Sequence, residues 1–153
     1  MTEGMNDAAL QIVRDSESLR LECYTCPGGL ATIGYGAIYA ANGQRVTMSH
    51  PPITAELAEE LLRRDTNIAY RAVERLTEPY TEDLNHNQKS ALASLCFNIG
   101  SGNFRASEVR SNIIRGAIEN AGRQIYQWRR AGGKIMRGLV IRRRKETDLY
   151  FTV

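Results

Sequence analysis

Three side chains are candidates for chemistry. Glu17 is followed after eight residues by Cys26, and Cys26 after five by Thr32. A carboxyl in apolar surroundings stays protonated near neutral pH and can give its proton to a departing oxygen. A thiolate or hydroxyl opposite it can steady positive charge, activate water or attack carbon. Hydrolysis of a glycosidic bond needs this division of labour, with a proton donor on one side of the sugar and a second group on the other. Glu17 closes an apolar helical face, because Leu10, Val13 and Glu17 recur at i, i+3 and i+7. The competing reading is a solvated glutamate, or one paired with Arg14 or Arg20, and composition alone favours it.

The elements that must position these groups follow from periodicity. Asp7 to Ser18 reads as a helix. Leu19, Leu21 and Cys23 then alternate with Arg20, Glu22 and Tyr24, a strand pattern. Cys26-Pro27-Gly28-Gly29 is a turn, and Leu30 to Gly36 returns as a second strand, its two glycines marking a bend or a close backbone approach. Asn42-Gly43 is a hairpin signal, so residues 19–47 form a small, largely antiparallel sheet. Thr54 caps a helix over Ala55–Leu76, about 33 Å long at 1.5 Å per residue and long enough to join two lobes. Its apolar stripe takes in Leu57, Leu61, Ile68, Ala72 and Leu76. Further helices are expected over Asn87–Ile99, from Ser107 to Arg115, over Ala117–Trp128 and over Leu139–Tyr150, with Gly100-Ser101-Gly102 as a break.

Composition narrows the class. Of the 153 residues, 42% are apolar and 24% charged, which excludes a disordered chain and fits one domain. Nothing is long and apolar enough to span a membrane. The start, Met1-Thr2-Glu3-Gly4-Met5-Asn6-Asp7, lacks the basic and apolar stretches of a secretion signal, so no membrane anchor is expected. Cys23, Cys26 and Cys96 are an odd number, which argues against a disulfide framework. Cys23-x-x-Cys26 has no second cysteine pair, and His50 and His86 stand alone, so no metal is expected; Cys23 and Cys96 read as small buried hydrophobes. Residues 1–100 hold 8 basic and 13 acidic side chains, and residues 101–153 hold 12 basic and 4 acidic. A basic C-terminal half suits a polyanionic partner, such as nucleic acid or an anionic cell envelope, or is merely a solvated face.

The spacing and its surroundings resemble one family. Glu17-Ser18-Leu19-Arg20-Leu21 leads through Tyr24 to Cys26, then to Thr32-Ile33-Gly34-Tyr35-Gly36. Asn98-Ile99-Gly100 runs on to Phe104; Trp128, Ala131-Gly132-Gly133-Lys134 and Gly138-Leu139 through Arg142-Arg143-Arg144 to Glu146 follow in order. This ordered set, from about residue 8 to residue 151, resembles the phage-type lysozymes, endolysins of glycoside hydrolase family 24. The resemblance implies an α+β, lysozyme-like single domain: a sheet lobe with the first helix at about 7–50, a connecting helix at 55–76 and a helical lobe at 80–153, with a cleft between the lobes. It implies a muramidase that needs no cofactor and cleaves the β-1,4 bond between N-acetylmuramic acid and N-acetylglucosamine in peptidoglycan, where the residues alone reach only a glycosidase.

By the same resemblance Glu17 is the general acid and Thr32 helps hold the attacking water. Cys26 stands where many members carry Asp. An ordinary thiol is mostly neutral at pH 7, so three roles stay open for it: water activation or electrostatic support, structural filling, and covalent attack. Ala37 follows Tyr35-Gly36 where the family usually has His, and altered loop packing is expected there. Tyr24, Tyr35 and Gln88 are candidates for lining the sugar site, and Arg142, Arg143 and Arg144 for touching the wall. A monomer is expected, accumulating in the host cytoplasm and released by a separate holin, with no nucleic-acid partner. The rival functions are a basic binding module without catalysis and a C-terminal helix that disturbs membranes. The first leaves the Glu17, Cys26, Thr32 spacing without a purpose, and the second has a poor apolar face.

Overall fold

Asn6 opens the first helix by accepting the Ala9 amide on its side chain at 3.1 Å and the Leu10 amide on its carbonyl at 3.0 Å. In a computed structural model describing residues 3–153, this helix, α1, spans Asp7–Ser16 and buries Ala9, Leu10, Ile12 and Val13. It ends two residues before the expected Ser18, so Glu17 stands in a bend just past it. Met1-Thr2, the start of the stretch read for a secretion signal, lies outside the described residues. The fold mixes many helices with small antiparallel ladders, and it divides into two compact units: Arg14–Asp65, and the residues up to Val13 together with Thr66–Val153.

Within Arg14–Asp65, β1 (Arg20–Thr25) pairs antiparallel with β2 (Ala31–Gly34). Tyr24 lies opposite Thr32 and Thr25 opposite Ala31, but Arg20 lies opposite Gly34, so β1 carries two surplus residues. This bulge frees the Leu21 carbonyl to accept the Ile53 amide at 2.9 Å. The expected sheet over 19–47 is smaller than drawn. Beyond β2 only single bridges form, Ile33 with Ala37 and Tyr39 with Arg45. Asn42-Gly43 does turn the chain, with Gly43 at φ +84° and the Asn42 side chain accepting the Gln44 amide. The apolar core joins Ile33, Ala37, Ala40, Val46, Ile53, Ala58 and Leu61, with Cys23, Ala31, Tyr35 and Leu57 packed against it. Ala37 is thus part of the core, in a loop closed by two Ile33–Ala37 backbone hydrogen bonds.

The helix α2 runs Ala55–Leu76 as its spacing predicts, and the Thr54 hydroxyl accepts the Leu57 amide at 3.0 Å. Ile68 departs from the predicted stripe and is 66% exposed. At about 100° per residue the buried arc centres on Ala58, Leu62, Thr66, Ala69 and Val73, and Ile68 falls on its flank.

In the helical unit, α3 (His86–Ile99) buries every residue from Ser90 to Cys96. A capping box formed by Asn85 and Gln88 starts it. The Gly100-Ser101-Gly102 break begins a short helix, α4 (Ser101–Arg105), and Ser107 caps α5 (Glu108–Ile114) by accepting the Arg110 amide. The helix expected over Ala117–Trp128 is shorter, α6 (Ile118–Gln124), and tightens into a 3-10 turn over Ile125–Gln127. A ladder that periodicity missed, β3 (Arg130–Ala131) with β4 (Lys134–Ile135), precedes α7 (Arg137–Tyr150). No helix among the described residues is long and apolar enough to cross a membrane.

Arg142 and Arg143, read as candidate wall contacts, are buried instead, together with Glu146. The Glu146 carboxylate accepts from Arg142 at 3.1 Å, from Arg143 at 2.5 Å and from the Ser94 hydroxyl at 2.5 Å. Arg143 also donates to the Trp128 carbonyl at 2.7 Å and to the Asn98 side chain. Burial pulls the Arg143 guanidinium below its ordinary pKa, and the neighbouring Glu146 charge opposes that pull. The cluster fastens α7 to α3.

Gly122 sits beneath Tyr150, whose hydroxyl donates to the Ile118 carbonyl at 2.6 Å. A Cβ there would lie 2.4 Å from a Tyr150 ring carbon and 2.7 Å from Phe151. Tyr150 is buried and hydrogen-bonded, so its ring cannot swing clear. Gly122→Ala is expected to destabilise the protein by about 1–3 kcal/mol through overpacking. Thermal melting checks this, and an unchanged melting temperature would refute the tight contact.

Candidate active site

The β1–β2 turn brings together two of the predicted residues, Cys26 and Thr32. The Cys26 amide donates to the Leu30 carbonyl at 2.9 Å and the Gly29 amide to the Cys26 carbonyl at 2.8 Å, closing a tight loop at the end of the ladder. Thr32 is buried, 2% exposed, and its hydroxyl donates to the Leu30 carbonyl at 2.9 Å. The Leu30 carbonyl therefore takes hydrogen bonds from both Cys26 and Thr32, which ties the two positions to one atom.

The Cys26 sulfur lies over this turn, within 3.7 Å of where a Gly28 side chain would begin. Its thiol is held below its ordinary pKa. A backbone hydrogen bond from Leu30 is the largest cause and one from the Thr32 side chain the next; partial burial opposes them, and the Gly28 backbone adds to the lowering. The Thr32 hydroxyl has a single proton, now given to Leu30, so ionising Cys26 asks it to turn toward the sulfur. Sequence reasoning left the thiol mostly neutral. The turn geometry favours the thiolate more than an isolated cysteine would.

Glu17 is half-buried. Its carboxyl stands beside Gly36, where a Cβ would lie 3.8 Å from Oε2 in ordinary contact; the φ of +91° is what favours glycine there. Of the two readings of the glycines in Thr32-Ile33-Gly34-Tyr35-Gly36, the positive φ at Gly34 and Gly36 bears out the bend. Gly34, at φ +68°, lies against Ala58 and Ile53. Arg14, one reading of Glu17's partner, makes two hydrogen bonds to Glu59, at 3.0 and 2.6 Å. Arg20, the other, lays its guanidinium over the Tyr24 ring at 4.5 Å.

Tyr24 links the two ends of the site. Burial raises its phenol pKa most, the Glu17 charge raises it next, Arg20 opposes, and Cys26 adds a smaller push upward. Tyr24 therefore stands within electrostatic reach of both Glu17 and Cys26, as a neutral O–H donor at neutral pH. Of the side chains suggested for sugar contact, it is the one placed with the three chemical residues. Tyr35 packs against the apolar core of its unit. Gln88 lies in the other unit, where its side-chain oxygen accepts the Asn85 amide at 2.9 Å as part of the α3 cap. Gly36 is a neighbour of Glu17 that sequence reasoning did not place there, and Arg20, read as a possible partner of Glu17, lies over Tyr24.

The cysteines are free thiols. Cys96 is buried, which pushes its thiol up to about 11. Cys23 departs from the buried reading: it is half-exposed, and its thiol donates to the Thr47 carbonyl at 3.2 Å. Among the described residues no group of three or more His, Cys, Asp or Glu is placed to hold a metal ion.

The α+β fold, many helices with a small antiparallel ladder that carries Cys26 and Thr32, is lysozyme-like. A family model for phage lysozyme matches residues 14–146, and the chain belongs to that family. An endolysin of Salmonella phage P22 is 34% identical over 140 residues, covering 92% of this chain and 92% of the relative. An endolysin of Bacillus phage B103 is 31% identical over 153 residues, covering 97% of this chain and 54% of the relative. The chain thus spans about half the length of the Bacillus phage endolysins it matches. Among solved structures, the muramidase domain of SpmX from Asticaccaulis excentricus superposes with a TM-score of 0.81 at 29% identity, covering 99% of this chain and 100% of that one.

Proposed function

We propose that the chain is an endolysin muramidase that hydrolyses the β-1,4 bond between N-acetylmuramic acid and N-acetylglucosamine in bacterial peptidoglycan. One observation supports this reading: in a phage lysozyme family member, Cys26 and Thr32 share the Leu30 carbonyl at the β1–β2 turn, and Tyr24 stands within electrostatic reach of both Cys26 and Glu17. Glu17 gives its proton to the leaving glycosidic oxygen as the bond to the anomeric carbon breaks. Thr32 positions the water that attacks that carbon, and Cys26, as thiolate, takes the proton the water loses. Tyr24 donates to sugar oxygens between them. No cofactor is required. We further infer that the protein acts as a monomer and reaches the wall from the host cytoplasm through a pore made by a separate holin.

The direct test is digestion of purified peptidoglycan followed by analysis of the new ends. Reducing muramic acid ends support the reading; reducing glucosamine ends, or none, would overturn it. A second measurement isolates Cys26. If the thiolate is the working form, the rate climbs with pH as the thiol ionises, below the ordinary thiol range because its pKa is lowered. Cys26→Asp should move that climb down toward the carboxylate range, about pH 4. Cys26→Ser should remove it and slow the reaction. A serine variant with the wild-type rate and pH profile would mean that the sulfur has no specific chemical role.

A further inference from the structure

Apart from the candidate active site, one surface of the helical unit combines basic and exposed apolar side chains. Every residue from Arg130 to Gly138 is exposed. The segment is nevertheless well formed: Arg130 pairs with Ile135, Ala131 with Lys134, and the Met136 amide donates to the Arg129 carbonyl at 3.0 Å. Gly132 and Gly133, at φ +59° and +80°, make the kind of turn that matches strand twist.

Its side chains share one character. From Arg129 to Arg137 there are four basic residues and no acidic one. Among the described residues no carboxylate pairs with Arg130, Lys134 or Arg137. Between these charges stand large apolar groups: Ile135 is 52% exposed and Met136 46%. Ile141, one turn along α7 from Arg137, adds another at 46%. Cross-strand partners point to the same side of a ladder, so Arg130 and Ile135 share one side and Ala131 and Lys134 the other, and the projecting hairpin carries a basic group on each. Isolated apolar side chains on a surface need no explanation, but three on one basic projection do.

We propose that this hairpin, with the first turns of α7, docks on an anionic lipid surface. The basic groups would meet lipid phosphates, while Ile135, Met136 and Ile141 enter the boundary between headgroups and acyl chains. Long Lys and Arg stems let the charges stay at headgroup level while the shorter apolar groups go deeper. A purely anionic polymer, such as a phosphate-bearing wall chain, would use the charges and leave the apolar groups in water. The exposed apolar residues therefore favour lipid. This contact does not depend on whether the chain cuts sugar, because its readout is binding.

The test uses the full chain and sedimentation with vesicles of phosphatidylcholine, with or without phosphatidylglycerol. Binding is expected only with phosphatidylglycerol and should weaken as salt rises. Arg130→Glu with Lys134→Glu should lower affinity by more than about tenfold. Ile135→Ser with Met136→Ser should lower it several-fold on vesicles and leave binding to soluble polyphosphate unchanged. Absence of vesicle binding would overturn the proposal. So would wild-type vesicle binding by the serine variant, which would point to a polymer contact. A wild-type dimer that the serine variant loses, with no vesicle binding, would overturn it in favour of a second copy of the chain.

Discussion

Glu17→Gln is expected to lower peptidoglycan hydrolysis by about 10²–10⁴-fold, the usual contribution of a positioned general acid. Glutamine keeps the shape of the side chain and can still occupy the space beside Gly36. What it lacks is an acidic proton. Glu17 is half-buried in a bend, so the melting temperature should change little while the rate collapses. Turbidity loss of cell-wall suspensions, read beside a thermal melt, separates the two effects. A variant that lyses walls at the wild-type rate would remove Glu17 from the mechanism. It would leave the Cys26 and Thr32 geometry without an acid to serve.

The second large effect concerns stability. Glu146→Ala should destabilise the protein by about 3–5 kcal/mol, because it strands two buried guanidiniums. Arg142 and Arg143 would keep their charges in an interior where each now leans on the same carboxylate, and the Ser94 hydroxyl would lose its acceptor. For a chain of this length, that corresponds to a fall of roughly 6–20 °C in melting temperature. Replacing the whole cluster, with Arg142→Met, Arg143→Leu and Glu146→Leu, should cost less than the single change, since it removes the charges along with their partner. If Glu146→Ala melted like the wild type, the ion cluster would not be what fastens α7 to α3.

These two residues differ in how openly the sequence announced them. Glu17 looked ordinary by composition, and its intervals to Cys26 and Thr32 singled it out. Glu146 was visible as part of the family pattern, but its work was not: a run of arginines reads as solvated surface, and only burial against Ser94 and Asn98 reveals a core. Long periodic segments were legible. Ala55–Leu76 has both a cap at Thr54 and enough turns to show its face, although Ile68 lay just outside the buried arc. Short segments were not. The β3–β4 ladder is two residues on each strand, too brief for any period to appear, and Gly132-Gly133 was its one signal. The bulge in β1 was hidden for a related reason. Alternation from Leu19 to Tyr24 shows which side each residue faces, but not which residue of the partner strand lies opposite. Counting back from the Cys26–Gly29 turn would have set Tyr24 across from Thr32 and so brought it to the site.

The division of the chain bears on how such a protein fails. Glu17, Tyr24, Cys26 and Thr32 all lie in the unit Arg14–Asp65, whose apolar core includes three alanines among its seven buried residues. Nearly all the helices, and the buried ion cluster, belong to the other unit. Regions with few apolar contacts open first. Heat should therefore silence the chemistry while most of the helix signal persists, and a sample that still looks folded by circular dichroism could already be dead. If the proposed site is the working one, the shelf life of activity is expected to follow the hairpin unit rather than the helices.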